Sequence, residues 1–424
     1  MRERRQAEPG TSEIGPGEAH GRPNRIKRQF PSLAEVARFV GPAFTPKKGE
    51  RWDRVRTVAD FRRLAKRRTP RPVFDYVEGA AEQELSRERS VEAFQRVVFH
   101  PHVLRNVGAV DASATILGRR AAMPMVLAPT GFTRMMRTEG EPAVARAAAR
   151  AGIPFALSTL GTTSVDRLRR EAPDTELWFQ LYLSRDHGRS RELLGRAKEN
   201  RFTTLVVTVD VPVAGARLRD SYNGLTLPPT LTLRTLFAMA AKPRWLFDTL
   251  TTEPLAFEAL GAGKDLVSLF KNAFDPGVTF ADVEWLRAQW QGSLVIKGIQ
   301  RLDDAKAAAA AGVDGIAVSN HGGRQLDRAA TPLLLLPQVV DAIGGRAEVY
   351  LDGGVRSGAD VAAAVALGAR AAFVGRPYLY ALMAGGEPAV DHLLKLFAED
   401  YARTLKLLGV SKTAELSSDL VAVT

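Results

Sequence analysis

Eight short apolar runs alternate with alanine-rich segments from about Met123 onward, and this alternation constrains the fold more than any other feature of the chain. Segments such as EGEPAVARAAARAG and SGADVAAAVALGA have helical periodicity and carry glycine at or next to their ends, as helix C-termini do. Strands that alternate with helices are typical of βα units in a parallel sheet. Eight such units favour a closed barrel over an open sheet, so we predict a TIM (β/α)8 barrel.

The eight predicted strands end at Thr130, Thr159, Leu183, Asp210, Gly298, Asn320, Gly354 and Gly375. Barrel enzymes place their chemistry at the carboxyl ends of the strands, so polar residues at these ends are the candidates for function. Those residues are Thr130, Gln180, Tyr182, Asp210, Lys297, His321, Asp352 and Arg376.

The rest of the chain divides around this barrel. We expect a disordered basic tail over residues 1–30, a helical extension over 31–122 and the barrel over 123–424. Residues 211–280, between the fourth and fifth strands, are too many for a simple connection. Part of this insertion, residues 231–251, mixes Leu, Phe, Met and Trp with Arg and Lys, as segments that lie at a membrane surface do. A lid over the barrel and a membrane-facing segment are both open interpretations.

Composition excludes several classes of site. The chain has no cysteine, which excludes disulfides, thiolate metal sites, iron–sulfur clusters and a cysteine nucleophile, and we expect no metal. A net charge of +12 suits an anionic substrate, a phosphate-bearing cofactor or an anionic membrane surface. No recognised nucleic-acid module is present, so we expect no nucleic-acid partner. No secretory signal or spanning apolar run is found, which predicts a cytoplasmic protein, peripheral if it meets a membrane.

The run SNHGGRQLD, residues 319–327, has the clearest chemical content. His321 directly follows the sixth strand and Arg324 lies three residues later. Asp210, at the end of the fourth strand, can orient His321 and support it as a general base. Arg217 lies in the following loop and can join Arg324 in a clamp for a substrate carboxylate. Alone, each would more often be a loop-capping His or a surface Arg; their combination predicts an active site.

Glycine-rich turns follow the seventh and eighth strands, where barrels bind phosphate through backbone N–H groups and a nearby cation. Gly353, Gly354, Arg356, Gly375 and Arg376 fit that use. Lys297 ends the fifth strand, and two roles are open for its ammonium. It can stabilise the reduced ring of a flavin, or it can form a Schiff base as in aldolases.

Together these motifs resemble the FMN-dependent α-hydroxy-acid dehydrogenase and oxidase family, from about Thr57 to Leu416. Within that family the chain is most similar to the bacterial respiratory L-lactate dehydrogenases. The resemblance implies FMN as cofactor and oxidation of an L-2-hydroxy acid, with L-lactate as the best candidate. It further implies a quinone or a cytochrome as electron acceptor and a homo-oligomer, commonly a tetramer.

The resemblance also implies roles for individual residues. His321 would be the base and Asp210 its partner, while Arg217 and Arg324 would hold the substrate carboxylate. Tyr76 and Tyr182 would hydrogen-bond the substrate. The residues that would contact the flavin ring, ribityl chain or phosphate are Pro129, Thr130, Gly131, Ser158, Gln180, Thr208, Lys297, Asp352, Gly353, Arg356, Gly375 and Arg376.

Departures from the family pattern bear on specificity. Gly131 stands where oxidases tend to carry alanine, which favours a dehydrogenase, and Leu160 and Val77 replace larger aromatic residues of plant glycolate oxidase. An oxidase that uses O2 and a Schiff-base aldolase remain as alternatives. A barrel of the inosine-monophosphate dehydrogenase type is excluded because it needs a catalytic cysteine. A catalytically silent barrel does not account for the complete set of expected residues.

Overall fold

The computed structural model describes residues 54–183, 187–225, 233–260 and 274–424, together with Ser32 and Trp52. The tail predicted over residues 1–30 lies outside the described residues. A closed barrel of eight parallel strands forms the centre, and its last strand pairs back to its first, which confirms the predicted TIM barrel. Its strands are β4 (Met125–Leu127), β5 (Phe155–Ser158), β6 (Leu177–Leu181), β7 (Thr204–Thr208), β8 (Ser293–Ile299), β9 (Gly315–Ser319), β10 (Glu348–Asp352) and β11 (Ala371–Val374).

Among the described residues, three helices and three short strands precede the barrel. The helices are α1 (Val58–Arg68), α2 (Arg71–Glu78) and α3 (Leu85–Gln95). The helical extension predicted over residues 31–122 then continues as three strands, β1 (Val97–Phe99), β2 (Ala114–Ile116) and β3 (Arg119–Ala121). β1 pairs antiparallel with β12 (Val421–Val423), and β2 pairs with β3 in a hairpin. The C-terminal strand therefore ties the end of the chain to the region before the barrel.

Helices surround the barrel in the order that the sequence predicts. They are α4 (Thr133–Met136), α5 (Gly140–Arg150), α6 (Val165–Glu171), α7 (His187–Glu199), α8 (Leu218–Tyr222), α9 (Leu233–Ala240), α10 (Pro243–Leu250), α11 (Phe280–Gln289), α12 (Leu302–Ala310), α13 (Pro332–Ile343), α14 (Gly358–Ala366), α15 (Arg376–Gly385) and α16 (Glu387–Leu408). Alanine-rich faces let α5 and α14 pack closely, since eight of eleven and six of nine of their residues are buried.

Side chains fill the lower end of the barrel, which is the end at the amino termini of the strands. Trp178, Tyr350 and Phe373 meet edge to face inside it, with ring centroids 5.8 to 6.3 Å apart. Ile116 and Ala121 of the β2–β3 hairpin join the same buried cluster. The backbone N–H of Leu117, in the hairpin turn, donates to the Glu348 carboxylate at the first residue of β10. The amino ends of the strands are thus closed, and the open end lies at their carboxyl ends.

The insertion after β7 contains α8, α9, α10 and a short 3₁₀ turn at Glu258–Leu260. Its helices α9 and α10 carry exposed apolar side chains, including Leu233 and Phe237, which are 74% and 73% exposed. Among the described residues, no helix is both long enough and apolar enough to cross a bilayer.

Candidate active site

A cavity opens at the carboxyl ends of the barrel strands, with about 1130 Å³ of empty space when its open mouth is included. Its lining includes fifteen of the eighteen residues predicted for the site, and these are Tyr76, Pro129, Thr130, Gly131, Ser158, Tyr182, Arg217, Lys297, His321, Arg324, Asp352, Gly353, Arg356, Gly375 and Arg376. Asp210 and Gln180 lie behind this lining. Thr208, predicted to contact the flavin, instead lines a neighbouring cavity that shares Tyr182, Val211 and Phe274 with the first.

His321 is held by a carboxylate on one side of its ring. Its Nδ1 atom lies 2.9 Å from Oδ1 of Asp210, whose side chain is only 3% exposed. With Nδ1 committed to Asp210, Nε2 is the nitrogen available to a ligand. Gly298 gives Asp210 room, because a Cβ at position 298 would lie 2.6 Å from the Asp210 carboxyl carbon. The predicted base and its partner therefore meet.

The backbone at His321 adopts an uncommon conformation. His321, Gly322 and Gly323 have positive φ values of 56°, 63° and 75°. Glycine accepts this region freely, whereas at His321 it costs free energy that surrounding contacts must offset. The His321 N–H donates to Ser319 Oγ at 3.0 Å, and the Gly323 N–H donates to Asn320. These bonds hold the sharp turn that brings His321 into the cavity.

Two guanidinium groups lie over the ring of Tyr76. The guanidinium carbons of Arg324 and Arg217 are 4.9 Å and 5.6 Å from its centroid. Arg324 also donates to the carbonyl oxygens of Tyr76 and Gly79, at 2.7 and 3.0 Å. Burial lowers the pKa of Arg324 and the charge of Arg217 adds to this effect, so the site gains from an anion that neutralises both.

Tyr182 enters the same space from the end of β6. Burial raises its pKa, and Asp210 adds to the shift, so the phenol stays protonated and can donate a hydrogen bond. Its ring meets Phe274 edge to face at 5.0 Å. The cavity thus combines two cations that can hold a carboxylate, a phenol that can donate a hydrogen bond and a histidine that can act as a base.

Lys297 and Asp352 form a buried ion pair at 2.6 Å. Burial opposes the charge on Lys297, but Asp352 and Asp210 outweigh it and raise the lysine pKa. Ser319, which the sequence interpretation did not assign, lies between them: its hydroxyl donates to Asp352 at 2.6 Å and accepts from Lys297 at 3.1 Å. Since the same hydroxyl accepts the His321 N–H, Ser319 connects the lysine pair with the base.

Arg376 begins α15 beside the glycine-rich turns. It donates to the carbonyl oxygens of Val77, Gly79 and Gly322 at 2.8 Å each. Burial lowers its pKa to about 9, and repulsion from nearby cations, including Arg356, contributes. Arg376 lines the cavity together with Arg356 and Gly375. A buried cation cluster of this kind is a favourable place for a phosphate.

An unpaired donor also points to a ligand. Gln180 Oε1 accepts hydrogen bonds from Ser158 Oγ and the Thr159 N–H, at 3.0 and 3.1 Å. Its Nε2 is fully buried and has no partner among the described residues. Buried amide groups are nearly always hydrogen-bonded, so an acceptor-bearing group is expected here. Together with the cations around Arg376, this fits a flavin ring and its phosphate.

Glu78 is a second residue that the sequence interpretation missed. Its carboxylate accepts hydrogen bonds from Arg62 at 2.8 Å, Arg87 at 2.9 Å and Tyr380 at 2.9 Å. Burial would raise its pKa, but Arg62, Tyr380 and Arg87 outweigh it and lower the pKa to about 2. It adjoins Val77 and Gly79, whose carbonyls bind Arg376, so it fixes the segment that carries Tyr76. Only the three-dimensional arrangement shows this.

Comparison with known sequences assigns most of the chain to one family. The family model described as FMN-dependent dehydrogenase matches residues 65–423. A Mycobacterium tuberculosis protein, provisionally named as an L-lactate dehydrogenase, is 51% identical over 93% of this chain and 95% of its own length. An L-lactate dehydrogenase of Caulobacter vibrioides is 44% identical, over 87% of this chain and 98% of its own.

Solved structures give the same family. A monotopic membrane protein, (S)-mandelate dehydrogenase, superposes with a TM-score of 0.84 at 36% identity, covering 87% of this chain and all of the other. A mandelate oxidase superposes with a TM-score of 0.74 at 36% identity, covering 87% of this chain and 98% of the other.

Proposed function

The chain belongs to the FMN-dependent dehydrogenase family, and from this premise we propose that it oxidises L-lactate to pyruvate and passes the electrons to a quinone or a cytochrome. Its cofactor is FMN, and it is an FMN-dependent L-2-hydroxy-acid dehydrogenase. When bound, FMN supplies the two-electron acceptor for the substrate. The protein supplies binding, orientation and proton transfer.

This proposal rests on one observation: His321 lines the same cavity as Arg217, Arg324 and Tyr76. The two guanidinium groups bind the carboxylate of the 2-hydroxy acid, and Tyr76 and Tyr182 hydrogen-bond its oxygens. A 2-hydroxy acid held in this way would present the carbon that bears its hydroxyl to His321, which lines the same cavity. Nε2 of His321 takes a proton from the substrate, and the Asp210 carboxylate stabilises the imidazolium that results.

The flavin is held, in this proposal, by two groups of residues. Pro129, Thr130, Gly131, Ser158, Gln180 and Lys297 bind the ring, and Thr208 is a more distant member because it lines the neighbouring cavity. Asp352 orients Lys297 through their ion pair. Gly353, Arg356, Gly375 and Arg376 bind the ribityl end and phosphate.

L-Lactate is the favoured substrate because the relatives named for it are the more similar ones, at 51% and 44% identity against 36% for the mandelate enzyme. Glycolate and mandelate are the comparison substrates. The aldolase alternative is disfavoured by Lys297, since a Schiff-base lysine needs a lowered pKa and this one is raised by its carboxylate partners. Gly131 favours a dehydrogenase over an O2-using oxidase.

We further propose a homo-oligomer that lies on the inner face of the cell membrane. Support for the membrane contact comes from the exposed Leu233 and Phe237 and from the monotopic neighbour. Flotation with anionic vesicles tests it. Leu233→Ser with Phe237→Ser should abolish flotation of an otherwise active enzyme, and flotation equal to that of the unaltered protein would contradict the proposal.

The decisive experiment is the visible spectrum of the purified protein before and after anaerobic addition of L-lactate, with D-lactate, glycolate and L-mandelate as comparisons. We expect L-lactate to bleach a flavin band most rapidly. His321→Ala should keep the flavin band yet lose this bleaching. A band that only another acid bleaches would reassign the substrate, and rapid bleaching of the variant would remove His321 from its role.

A further inference from the structure

Three side-chain contacts from the insertion converge on the short helix α4 and the residue before it. Trp245 Nε1 donates to the carbonyl oxygen of Met135 at 3.0 Å. Phe257 packs edge to face on Phe132, with ring centroids 4.5 Å apart. The buried guanidinium of Arg134 donates to the Glu253 carbonyl oxygen at 2.8 Å. Residues 245–257 of the insertion therefore pack on one short element of the barrel.

Ion pairs and a hydrogen bond from the backbone hold this part of the insertion against the barrel. Glu258 lies 3.4 Å from Arg134, and its other carboxylate oxygen accepts the Ser164 N–H at 3.2 Å. Arg167, in α6, pairs with Glu253 at 2.6 Å. Phe257 is only 2% exposed, so burial of its ring stabilises the docked position.

This part of the insertion is connected to the substrate site through Phe132. Its N–H donates to the carbonyl oxygen of Leu160 at 3.1 Å, and its backbone has a positive φ of 59°. Its ring contacts Phe257 on the insertion and, edge to face at 5.7 Å, the ring of Tyr76. Phe132 directly follows Thr130 and Gly131, which line the cavity. Three aromatic rings thus form a continuous row from the insertion to the substrate tyrosine.

We propose that Phe257 is a positioning residue for the substrate site, because through Phe132 it fixes the orientation of the Tyr76 ring. The insertion thereby contributes to substrate binding. The inference rests on the proposed function, in which Tyr76 binds the substrate. Edge-to-face pairs of this kind restrict a ring that two arginines already cover. Removal of one ring from the row lets Tyr76 rotate away from the geometry that the bound acid needs.

The test compares Phe257→Ala and Phe257→Leu with Phe247→Ala in a lipid-free assay. Phe247 is a matched control because it lies on α10 of the same insertion and is 67% exposed. Two quantities are measured: KM and kcat for L-lactate with a soluble dye as acceptor, and the dissociation constant of oxalate from the shift of flavin absorbance. We expect Phe257→Ala to raise both KM and the oxalate constant about three- to tenfold with kcat nearly unchanged, and Phe257→Leu to recover part of the loss.

The outcomes separate the two hypotheses. If the unaltered enzyme binds oxalate and oxidises L-lactate, and both Phe257 variants match it at equal FMN content and melting temperature, the positioning role is wrong. A fall in kcat alone, with oxalate binding unchanged, would also overturn it. If the unaltered enzyme acts on no 2-hydroxy acid, the proposed function fails first. Should Phe257→Ala not fold, Phe257→Leu provides the same comparison.

Discussion

Nδ1 of His321 and Oδ1 of Asp210 lie 2.9 Å apart, and Gly298 is the residue that lets them meet. Asp210 lies in the loop after β7 and His321 in the turn after β9, 111 residues apart in sequence. The second carboxylate oxygen of Asp210 is buried and has no partner among the described residues. In the proposed mechanism, the Oδ1 atom that faces the imidazole would stabilise the ring when His321 takes a proton from the substrate.

Asp210→Asn should lower kcat/KM for L-lactate by about 100-fold or more, because the amide keeps the size of the side chain but cannot stabilise the imidazolium. Anaerobic stopped-flow reduction by L-lactate measures this loss. Asp303→Asn, at a side chain that is 79% exposed, is the matched control. Reduction at the unaltered rate by Asp210→Asn would exclude the charge as a catalytic factor.

Arg376→Met should weaken FMN binding about tenfold or more, since a charge-assisted hydrogen bond to phosphate is lost. Titration of the flavin-free protein with FMN, followed by flavin fluorescence, gives the dissociation constant. Arg370→Met removes a guanidinium that is 52% exposed and pairs with Glu348, and it should leave FMN affinity unchanged. If the two variants bound FMN with equal affinity, the phosphate would bind at a site other than Arg376.

Glu78→Gln should change how stability depends on pH. The folded pKa of Glu78 is about 2, below its ordinary 4.5, so its contribution to stability is present above pH 4.5 and is lost as pH falls toward 2. The contribution amounts to about 3 kcal/mol. Urea unfolding at pH 6 and pH 3 should show a smaller loss for Glu78→Gln than for the unaltered chain. Parallel losses would mean that Glu78 is not held ionised by Arg62 and Arg87.

Gly131→Ala should destabilise the protein by about 1 kcal/mol or more and lower its turnover. An added Cβ would lie 3.0 Å from Leu160 Cβ and 3.2 Å from the Leu160 carbonyl oxygen, which already accepts the Phe132 N–H. Thermal unfolding and dye-coupled turnover measure both effects. Gly108→Ala is the control, because its Cβ would meet only Asn106, at 3.4 Å. An unchanged melting temperature for Gly131→Ala would show that Leu160 shifts to accommodate the added methyl group without loss of stability.

The sequence predicted the barrel well because parallel strands that are buried on both faces read as unbroken apolar runs. Seven strands end one to three residues before their predicted ends, since polar residues such as Thr130 continue the chain beyond the hydrogen-bonded ladder. The β2–β3 hairpin was missed because three-residue strands carry almost no periodic signal. Ser319 was not assigned a role because its contacts join three neighbouring strands, β8, β9 and β10, that are distant in sequence, and no local pattern encodes this.

The filled lower end of the barrel has a kinetic consequence. The amino ends of the strands are closed by Trp178, Tyr350, Phe373 and the β2–β3 hairpin. Small molecules therefore enter and leave the site at the carboxyl ends. In the proposed function, the 2-hydroxy acid, the 2-oxo acid and the electron acceptor would then all reach the site from this end of the barrel, one after another. We expect parallel double-reciprocal plots when L-lactate is varied at several acceptor concentrations, the pattern of a ping-pong enzyme.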